Sequence, residues 1–289
     1  MTSTPATPNL AQTLSDLQSR GLDRLDAQLL LLHVLDIPIT QRGWLLAHDT
    51  DPLPAASADR LLALAQRRLS GEPLAYLTGS KAFYGLDLRV TPDVLVPRPD
   101  TETLVDWALE VLTTEPVAAT PTQRVLDLGT GSGAIALALK ASRPTLDVWA
   151  TDMSPAALTV AQANAQRLQL ELCFSQGPWL AALPAGTPLF DSIVSNPPYI
   201  ADQDPHLAAL RHEPTQALTS GADGLDDIRR IISAAPVQLQ PSGWLLLEHG
   251  YDQAAAVRQL LTQSGFTQVQ SRLDLAGIER CSGGQKPSA

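Results

Sequence analysis

The 289-residue sequence is poor in cysteine, in aromatic side chains and in basic residues, and each scarcity argues against a class of protein. Its two cysteines, Cys173 and Cys281, are too few for a disulfide framework and lack the clustered spacing of a zinc site. Its 20 basic residues face 30 acidic ones, and the net charge of −10 argues against unaided binding to nucleic acid. We therefore expect a cytoplasmic protein without a direct nucleic-acid partner.

Long apolar runs are also missing. No uninterrupted stretch of about 18 apolar residues occurs, so we expect no transmembrane helix. The first residues, MTSTPATPNLAQTL, lack the basic start and the apolar core of a signal peptide. The hydrophobic content of 44% is nevertheless enough to fill the cores of one large and one small domain. The composition thus indicates a globular protein that is neither secreted nor inserted in a membrane.

The pattern of apolar residues changes near residue 100. Before that point, three helical stretches separated by glycine or proline predict a small helical domain over residues 1–80. Alternating apolar and polar residues from Ala82 to Val96 predict a hairpin inside a linker over 81–100. The predicted helical stretches are Leu10–Leu17, Asp26–Leu35 and a third from about Ser57 to Leu69.

Beyond residue 100, apolar runs of strand length alternate with helical patterns, which is typical of an open parallel α/β sheet over residues 101–289. Ser154 followed by Pro155 predicts the start of one of its helices. We expect the tail from Ser282 to Ala289 to be frayed. The predicted strands are Arg124–Leu128, Asp147–Thr151, Leu170–Ser175, Phe190–Ser195, Trp244–Glu248 and Thr267–Leu273.

A glycine-rich turn follows the first of these strands and opens a helix, with the sequence Gly129-Thr130-Gly131-Ser132-Gly133. Its glycines let the backbone approach a ligand closely. Asp152 ends the next strand, about 20 residues on, where a carboxylate can bind two ribose hydroxyls. Ala134 replaces the third glycine of a dinucleotide-binding turn, which favours a nucleoside over NAD. The alternatives are a tight turn without a ligand and a helix-capping aspartate.

The segment Asn196-Pro197-Pro198-Tyr199 follows the strand Phe190–Ser195, at the edge where open α/β sheets bind ligands. The two prolines fix φ and remove two backbone donors, which leaves a rigid set of acceptors. The Asn196 side-chain oxygen and the Pro197 carbonyl can accept both hydrogens of a planar NH2 group, and Tyr199 can stack on its plane. The alternative is a loop in which Asn196 caps a turn and Tyr199 only packs.

We expect neither a metal nor a covalent intermediate. The five histidines have no metal-ligand spacing such as H-x-x-x-H and are interpreted as structural or exposed residues. Asp127, just before the glycine turn, is assigned to hydrogen bonds with turn amides or a ligand amine rather than to base catalysis.

With these motifs the sequence resembles the class I, Rossmann-like methyltransferases, and within them the release factor glutamine methyltransferases, also called PrmC or HemK. The likeness covers nearly the whole chain. Besides the glycine turn, the segments that carry it are Gly71–Gly79 (GEPLAYLTG), Phe83–Leu86 (FYGL), Val96–Glu102 (VPRPDTE) and Asn196–Ile200 (NPPYI).

The resemblance implies a seven-stranded sheet whose antiparallel last strand starts at Glu279-Arg280-Cys281, and a helical N-terminal domain that recognises the substrate protein. The implied reaction transfers a methyl group from S-adenosyl-L-methionine to N5 of the glutamine in the Gly-Gly-Gln motif of peptide chain release factors. A monomeric enzyme is expected.

The resemblance also implies roles for particular residues. Residues 129–133, Asp152, Trp179 and Asn196 are expected to contact S-adenosyl-L-methionine. The glutamine amide is expected in the Asn196–Tyr199 segment, with Asn196, Pro197 and Tyr199 as catalytic groups. Two positions depart from the family pattern: Pro178 stands where a polar or acidic residue is common, and Ile278 where Asn can occur. Arg98 and Glu102 are expected to pair beside the site or, equally well, across the domains.

Two other functions fit parts of the sequence. An adenine-N6 nucleic-acid methyltransferase would present the same planar NH2 group, but the charge of −10 disfavours it. A non-enzymatic cofactor-binding module would be expected to lack the acceptor residues, all four of which are present at 196–199. Gly283-Gly284-Gln285 near the end of the chain is interpreted as a coincidental match to the substrate motif.

Overall fold

The computed structural model describes residues 8–112 and 122–288, and the chain divides into two compact units, Met1–Gly79 and Ser80–Ala289. Residues 1–7 lie outside the described residues, and they belong to the N-terminal segment that we interpret as lacking the features of a signal peptide. Ala289, the last residue of the predicted frayed tail, also lies outside them. No helix within the described ranges is long and apolar enough to cross a membrane.

The first unit is helical, and each of its three predicted helical stretches is confirmed. Asn9 and Gln12 form a capping box at the first helix, and the Asp23 side chain caps the second. Leucines from these helices make one buried cluster. Two further helices, of four and five residues, are too short for periodicity to reveal. The helices are α1 (Leu10–Ser19), α2 (Arg24–Val34), α3 (Trp44–Ala47), α4 (Ala55–Leu69) and α5 (Leu74–Thr78).

The second unit begins with a hairpin of two strands, β1 (Ser80–Phe83) and β2 (Leu86–Arg89), which pair antiparallel. The hairpin is shorter than the Ala82 to Val96 pattern that predicts it. Its side chains Phe83 and Leu88 are buried together with residues of α6 (Glu102–Val111). The hairpin therefore packs in the core of the second unit.

The main sheet of the second unit has seven strands in the order β5-β4-β3-β6-β7-β9-β8, and β9 is antiparallel to both of its neighbours. The predicted fold and the predicted start of its last strand are confirmed. The strands are β3 (Arg124–Leu128), β4 (Asp147–Asp152), β5 (Cys173–Gln176), β6 (Phe190–Ser195), β7 (Leu239–Glu248), β8 (Thr267–Leu273) and β9 (Glu279–Gln285). The helices that follow α6 are α7 (Ala134–Ser142), α8 (Pro155–Leu168), α9 (Asp226–Ala234) and α10 (Ala254–Gln263).

Both faces of the sheet are covered, as expected for mainly parallel strands. Val125 of β3 joins one buried cluster with residues of α6 and α7, whereas Leu126 joins another with residues of α9 and α10. Successive side chains of a strand point to opposite faces, so one apolar run supplies both clusters.

Two strands begin at a residue other than the predicted one, and β4 ends one residue later than predicted. β5 was expected from Leu170, but Gln169 adopts a left-handed conformation (φ 56°) at the end of α8, and the Leu170 amide donates to the Ala165 carbonyl. The start of the apolar run therefore closes the helix instead of extending the strand. β7 starts at Leu239, ahead of the predicted Trp244, because the strand includes polar and exposed residues that periodicity does not count.

The strand order reverses between β3 and β6. From β3 the chain continues to β4 and β5 on one side, and it then returns to β6 on the other. Leu128 pairs with Ser195 at the ends of these two strands, so the glycine turn and the Asn196 loop leave the sheet side by side. A crevice at such a reversal is the usual ligand site of an open α/β sheet.

The expectation of a frayed tail is wrong for Ser282–Gln285, which form the second half of β9. Glycine content suggested flexibility, but Gly283 and Gly284 are buried where side chains from both faces leave no room. A Cβ atom on Gly283 would lie 2.6 Å from Leu246 Cδ2 and 2.9 Å from Trp107 Cη2. The Gly-Gly-Gln sequence of this chain is thus part of its own sheet.

We expect Gly283→Ala to lower the free energy of unfolding by roughly 1–3 kcal/mol, because the added methyl group overfills the core. Urea unfolding followed by tryptophan fluorescence measures the change. Gly43→Ala serves as the control, since a Cβ atom there meets no atom within 4 Å. If both variants had the same free energy of unfolding, the prediction would be wrong, because the side chains around β9 would then have moved to accommodate the added methyl group.

Candidate active site

A cavity of about 560 Å³ opens among the segments that follow β3, β4 and β6. Its wall also includes residues of the segment before α6 and of the segment between β6 and α9. Among the predicted site residues, those lining the cavity are Gly129, Thr130, Gly131, Ser132, Asp152, Trp179, Asn196 and Pro198. The predicted residues outside the lining are Gly133, Pro197 and Tyr199.

Hydrogen bonds from the glycine turn tie it to the end of β4. The amides of Gly129 and Thr130 both donate to the Thr151 carbonyl at 2.9 Å, and the Gly131 amide donates to Asp152 Oδ2 at 2.9 Å. Gly129 and Gly131 have φ values of 70° and 55°, which favour glycine. The turn is therefore a preformed backbone surface beside the cavity.

Gly133 has a different task from the other glycines of the turn. It precedes α7 with φ 85°, and a Cβ atom there would lie 2.9 Å from Leu137 Cδ1 and 3.3 Å from Ala161 Cβ. The missing side chain lets α7 and α8 approach this point closely. Gly133 thus supports the turn through packing.

Asp152 lines the cavity and is held by two backbone amides. Its Oδ1 accepts from the Ser154 amide at 2.8 Å, and its Oδ2 accepts from Gly131. Burial raises the pKa of Asp152, while the amide hydrogen bonds act in the opposite direction. Ser154, whose hydroxyl accepts from the Ala157 amide at 3.2 Å, is the N-cap of α8. The alternative of Asp152 as a capping residue is therefore disfavoured.

Trp179 covers the glycine turn from the side. A Cβ atom on Gly129 would lie 3.1 Å from the Trp179 ring, which is tight enough that the ring would have to shift slightly. The indole Nε1 donates to Asp227 Oδ1 at 3.2 Å, and Asp227 also accepts from the Ser220 hydroxyl at 2.8 Å. Trp179 itself has φ 47°, a strained value for a large side chain. This ring is therefore held in place at the cavity wall.

The Asn196 amide is anchored by one end. Its Nδ2 donates to Thr101 Oγ1 at 3.2 Å, and within the described part of the chain no donor is bonded to its Oδ1. Thr101 is buried and also lines the cavity. The arrangement leaves the amide oxygen of Asn196 available as an acceptor.

Tyr199 lies behind the loop. Its hydroxyl donates to Glu248 Oε1 at 3.3 Å, its ring packs against a buried apolar cluster, and it is not among the residues lining the cavity. The Tyr199 carbonyl accepts from Gln253 Nε2 at 3.0 Å. The Gly224 backbone also lies close to this carbonyl, since a Cβ atom on Gly224 would be 2.2 Å from the Tyr199 carbonyl oxygen. The loop is thus fixed from its rear.

The expected pair of Arg98 and Glu102 is wrong. Arg98 Nη2 donates to Glu213 Oε1 at 2.5 Å, and the Val96 amide donates to the other oxygen at 3.1 Å. Glu102 instead accepts from the Tyr84 amide of the hairpin at 2.9 Å. Arg98 and Glu213 both belong to the second unit, so their pair is not an interdomain bridge.

Asp127 is fully buried beneath the turn. Its Oδ2 accepts from Thr130 Oγ1 at 2.6 Å and from the Ala136 amide at 3.2 Å, and burial raises its pKa to about 7. Asp127 does not line the cavity. Its partners are a hydroxyl of the turn and an amide of α7 rather than the expected turn amides, and its Oδ1 has no hydrogen-bond partner among the described residues.

Sequence reasoning missed the roles of Thr101, Glu248 and Asp227. Thr101 stands inside the quoted VPRPDTE segment, and Glu248 is a charged residue at the carboxyl end of an apolar strand, which is the position where site residues occur. Both signals were present in the sequence. For Asp227 the sequence contained no such signal, because this residue, which lines the cavity, belongs to α9, far along the chain from the glycine turn.

The fold and the site define a class I methyltransferase: a seven-stranded sheet with one antiparallel strand carries a glycine turn and an Asn-Pro-Pro-Tyr loop at the same edge. Residues 101–253 match the family described as methyltransferase small domain, and residues 9–79 match the PrmC N-terminal domain. The chain belongs to the release factor glutamine methyltransferase family.

Two curated relatives and one solved structure illustrate these similarities. The release factor glutamine methyltransferase of Bordetella pertussis is 54% identical over 91% of this chain and 95% of its own length. That of Burkholderia pseudomallei is 50% identical over 99% of this chain and 100% of its own length. The N-terminal domain of human METTL16, solved in complex with SAH, superposes with a TM-score of 0.54 at 16% identity, covering 95% of this chain and 94% of that one. This last likeness shows the fold alone.

The raised pKa of Asp127 predicts a pH effect on stability. An ordinary aspartate in the unfolded chain ionises near pH 4, whereas the folded protein holds the Asp127 proton up to about pH 7. Stability is therefore lost as the pH rises through this window. We expect Asp127→Asn to gain on the order of 3 kcal/mol relative to wild type between pH 4 and pH 8.

Urea unfolding at several pH values tests this expectation. Glu248, whose pKa burial also raises to about 7, should preserve part of the slope in the variant. Asp252→Asn, at an exposed position, is the control and should leave the curve unchanged. Parallel curves for wild type and Asp127→Asn would contradict the assignment.

Proposed function

We propose that this protein transfers a methyl group from S-adenosyl-L-methionine to N5 of the glutamine in the Gly-Gly-Gln motif of peptide chain release factors. Family membership supports the substrate, since the curated relatives carry that activity in their names. One observation carries the proposal at the site: Asn196 and the glycine turn line the same cavity.

The cavity fits the cofactor. Its volume of about 560 Å³ lies within the usual range of roughly 300–1,000 Å³ for small-molecule sites. Asp152 offers a carboxylate for ribose hydroxyls, Gly129 to Ser132 offer a close backbone, and Trp179 and Ile135 offer apolar walls. A neighbour of the same fold that was solved with SAH adds support. S-adenosyl-L-methionine, when bound, would supply an electrophilic methyl group and leave as S-adenosyl-L-homocysteine, while the methylated nitrogen would lose one proton to solvent.

The residues of the loop prepare the acceptor nitrogen. An amide nitrogen is a poor nucleophile because its lone pair is delocalised into the carbonyl group. Asn196 Oδ1, at the cavity wall, accepts one of its hydrogens and directs the lone pair at the methyl carbon. The Pro197 carbonyl is the proposed acceptor of the other hydrogen, although Pro197 is not among the residues that line the cavity. Pro198 limits the mobility of these acceptors. Tyr199 acts as a positioning residue, because its hydroxyl and carbonyl are both engaged behind the loop.

The first unit is assigned to recognition of the release factor. Its match to the PrmC N-terminal domain supports this role, and Leu46 on α3 is 75% exposed although it is a large apolar side chain. We further propose that the enzyme works as a monomer in the cytoplasm without direct contact to nucleic acid. The net charge of −10 and the two unpaired cysteines are consistent with that assignment.

The decisive experiment incubates the purified protein with labelled S-adenosyl-L-methionine and either a release factor or duplex DNA. Mass spectrometry then locates the labelled atom. Label on the glutamine of Gly-Gly-Gln supports the proposal, whereas label on adenine N6 would establish the rival nucleic-acid activity.

Asn196→Ala should lower kcat by at least about 100-fold, because it removes an acceptor that orients the reacting amide. Calorimetry should show cofactor affinity within a few-fold of wild type. Gln263→Ala, at an exposed amide at the end of α10, should behave as wild type in both assays. Unchanged turnover of Asn196→Ala on a release factor would remove Asn196 from the mechanism.

Asp152→Ala should weaken binding of S-adenosyl-L-methionine by roughly 1.5–3 kcal/mol, the value of hydrogen bonds to a charged group. Asp152→Asn keeps an acceptor oxygen without the charge and should lose less. Isothermal calorimetry with both variants measures the difference, and circular dichroism confirms that each is folded. Wild-type affinity in Asp152→Ala would place the cofactor elsewhere.

A further inference from the structure

Glu248 is a buried carboxyl group, and one of its two oxygens lacks a hydrogen-bond partner among the described residues. It ends β7, is 1% exposed, and accepts from the Tyr199 hydroxyl at 3.3 Å through Oε1. Its other oxygen, Oε2, is buried and has no hydrogen-bond partner within the described residues. Burial of a carboxyl oxygen without a hydrogen-bond partner destabilises the folded protein, and packing alone does not offset this loss. Its neighbours indicate what the carboxyl does.

Thr101 stands between Glu248 and Asn196. Its hydroxyl oxygen accepts from Asn196 Nδ2 at 3.2 Å, and the same hydroxyl faces the Glu248 carboxyl and stabilises its charge. A hydroxyl has a single hydrogen to donate. When that hydrogen is directed at the carboxylate, Thr101 offers only a lone pair to Asn196. The Asn196 amide must then present its NH2 group to Thr101 and its oxygen to the cavity.

We propose that Glu248 is a positioning residue: its carboxylate orients the Thr101 hydroxyl, and Thr101 in turn holds the Asn196 amide with Oδ1 towards the acceptor site. This inference rests on the proposed function, because only the acceptor role of Asn196 gives the orientation a consequence. Tyr199, bound to the same carboxyl, fixes the rear of the loop.

Protonation of Glu248 reverses the direction of this chain of hydrogen bonds. A protonated carboxyl donates to Thr101, whose own hydrogen then points at Asn196 and favours the amide with its oxygen inward. Burial raises the pKa of Glu248 to about 7, against the effects of the Thr101 hydroxyl and the Arg280 charge. The acceptor orientation is therefore held above about pH 7 and lost below it.

The charged surroundings of Glu248 come from three elements. Tyr199 faces it from the segment after β6, Asp100 from the segment before α6, and Arg280 and Cys281 from β9. Arg280 is shared with Asp274 at 3.2 Å and with Asp100 at 3.7 Å, so its charge only partly serves Glu248. Of this set, Glu248 is the group whose pKa the Thr101 side chain lowers through a hydrogen bond.

Glu248→Gln tests the proposal, since it keeps the shape but offers an NH2 donor to Thr101. We expect kcat to fall about 100-fold with KM for the release factor and cofactor affinity nearly unchanged. The decrease of kcat that the proposal predicts for wild type below about pH 7 should be absent in this variant. Thr101→Val should reproduce the loss, while Thr101→Ser, which retains the hydroxyl, should restore turnover to within a few-fold of wild type.

Nitrogen-15 NMR of the Asn196 side-chain amide separates this inference from the proposed function. The resonance should titrate near pH 7 in wild type and stay constant in Glu248→Gln, whether or not any release factor is methylated. Titration together with absent methylation supports the positioning role and refutes only the function. An Asn196 resonance that does not titrate, or wild-type kcat and pH profile in Glu248→Gln, overturns the inference.

Discussion

The pairing of β3 with β6 is the constraint on which the site depends. Leu128 and Ser195 are register partners at the ends of the two strands, so the backbone itself sets the distance between the glycine turn and the Asn196 loop. Both strands are buried on both faces, which prevents a shift of register without exposing apolar side chains. The glycine turn and the Asn196 loop, which lie far apart in sequence, are thereby held at one cavity.

Carboxyls that are buried or, for Asp152, partly buried recur at this edge of the sheet. Asp127 holds the hydroxyl of Thr130 in the turn, Asp152 holds two amides, and Glu248 lies behind the Asn196 loop. When ionised, such a carboxyl is acceptor-only and determines which hydrogen each neighbour must give, so it fixes orientation as well as position. The cost of burial is visible in the pKa values of Asp127 and Glu248, both raised to about 7. Burial of these carboxyls lowers the stability of the fold, and their hydrogen bonds define the orientation of the neighbouring groups.

Much of the fold could be predicted because it follows from local rules. The limits of β3, β6 and β8 match their apolar runs, and Ser154 with Pro155 opens α8 as its capping chemistry requires. The errors arise where distant residues decide. Arg98 pairs with Glu213 from another part of the chain, and the glycines of β9 are buried by side chains of both faces. Neither the ion-pair partner of Arg98 nor the side chains that cover the glycines of β9 can be predicted from residues adjacent in the sequence.

The case of Tyr199 shows why site residues are harder to predict than strands. A motif states which residues stand together, but it does not state which side of the backbone each one serves. Asn196 and Pro198 line the cavity, while Tyr199 turns to Glu248 because β7 ends there with a carboxyl in reach. The four-residue loop thus has a front that lines the cavity and a rear that is bound to the sheet. Rigidity at the front depends on the rear, since two prolines restrict φ but cannot orient a side-chain amide. That orientation requires a directional partner, and Thr101 with Glu248 behind it is the partner this fold supplies.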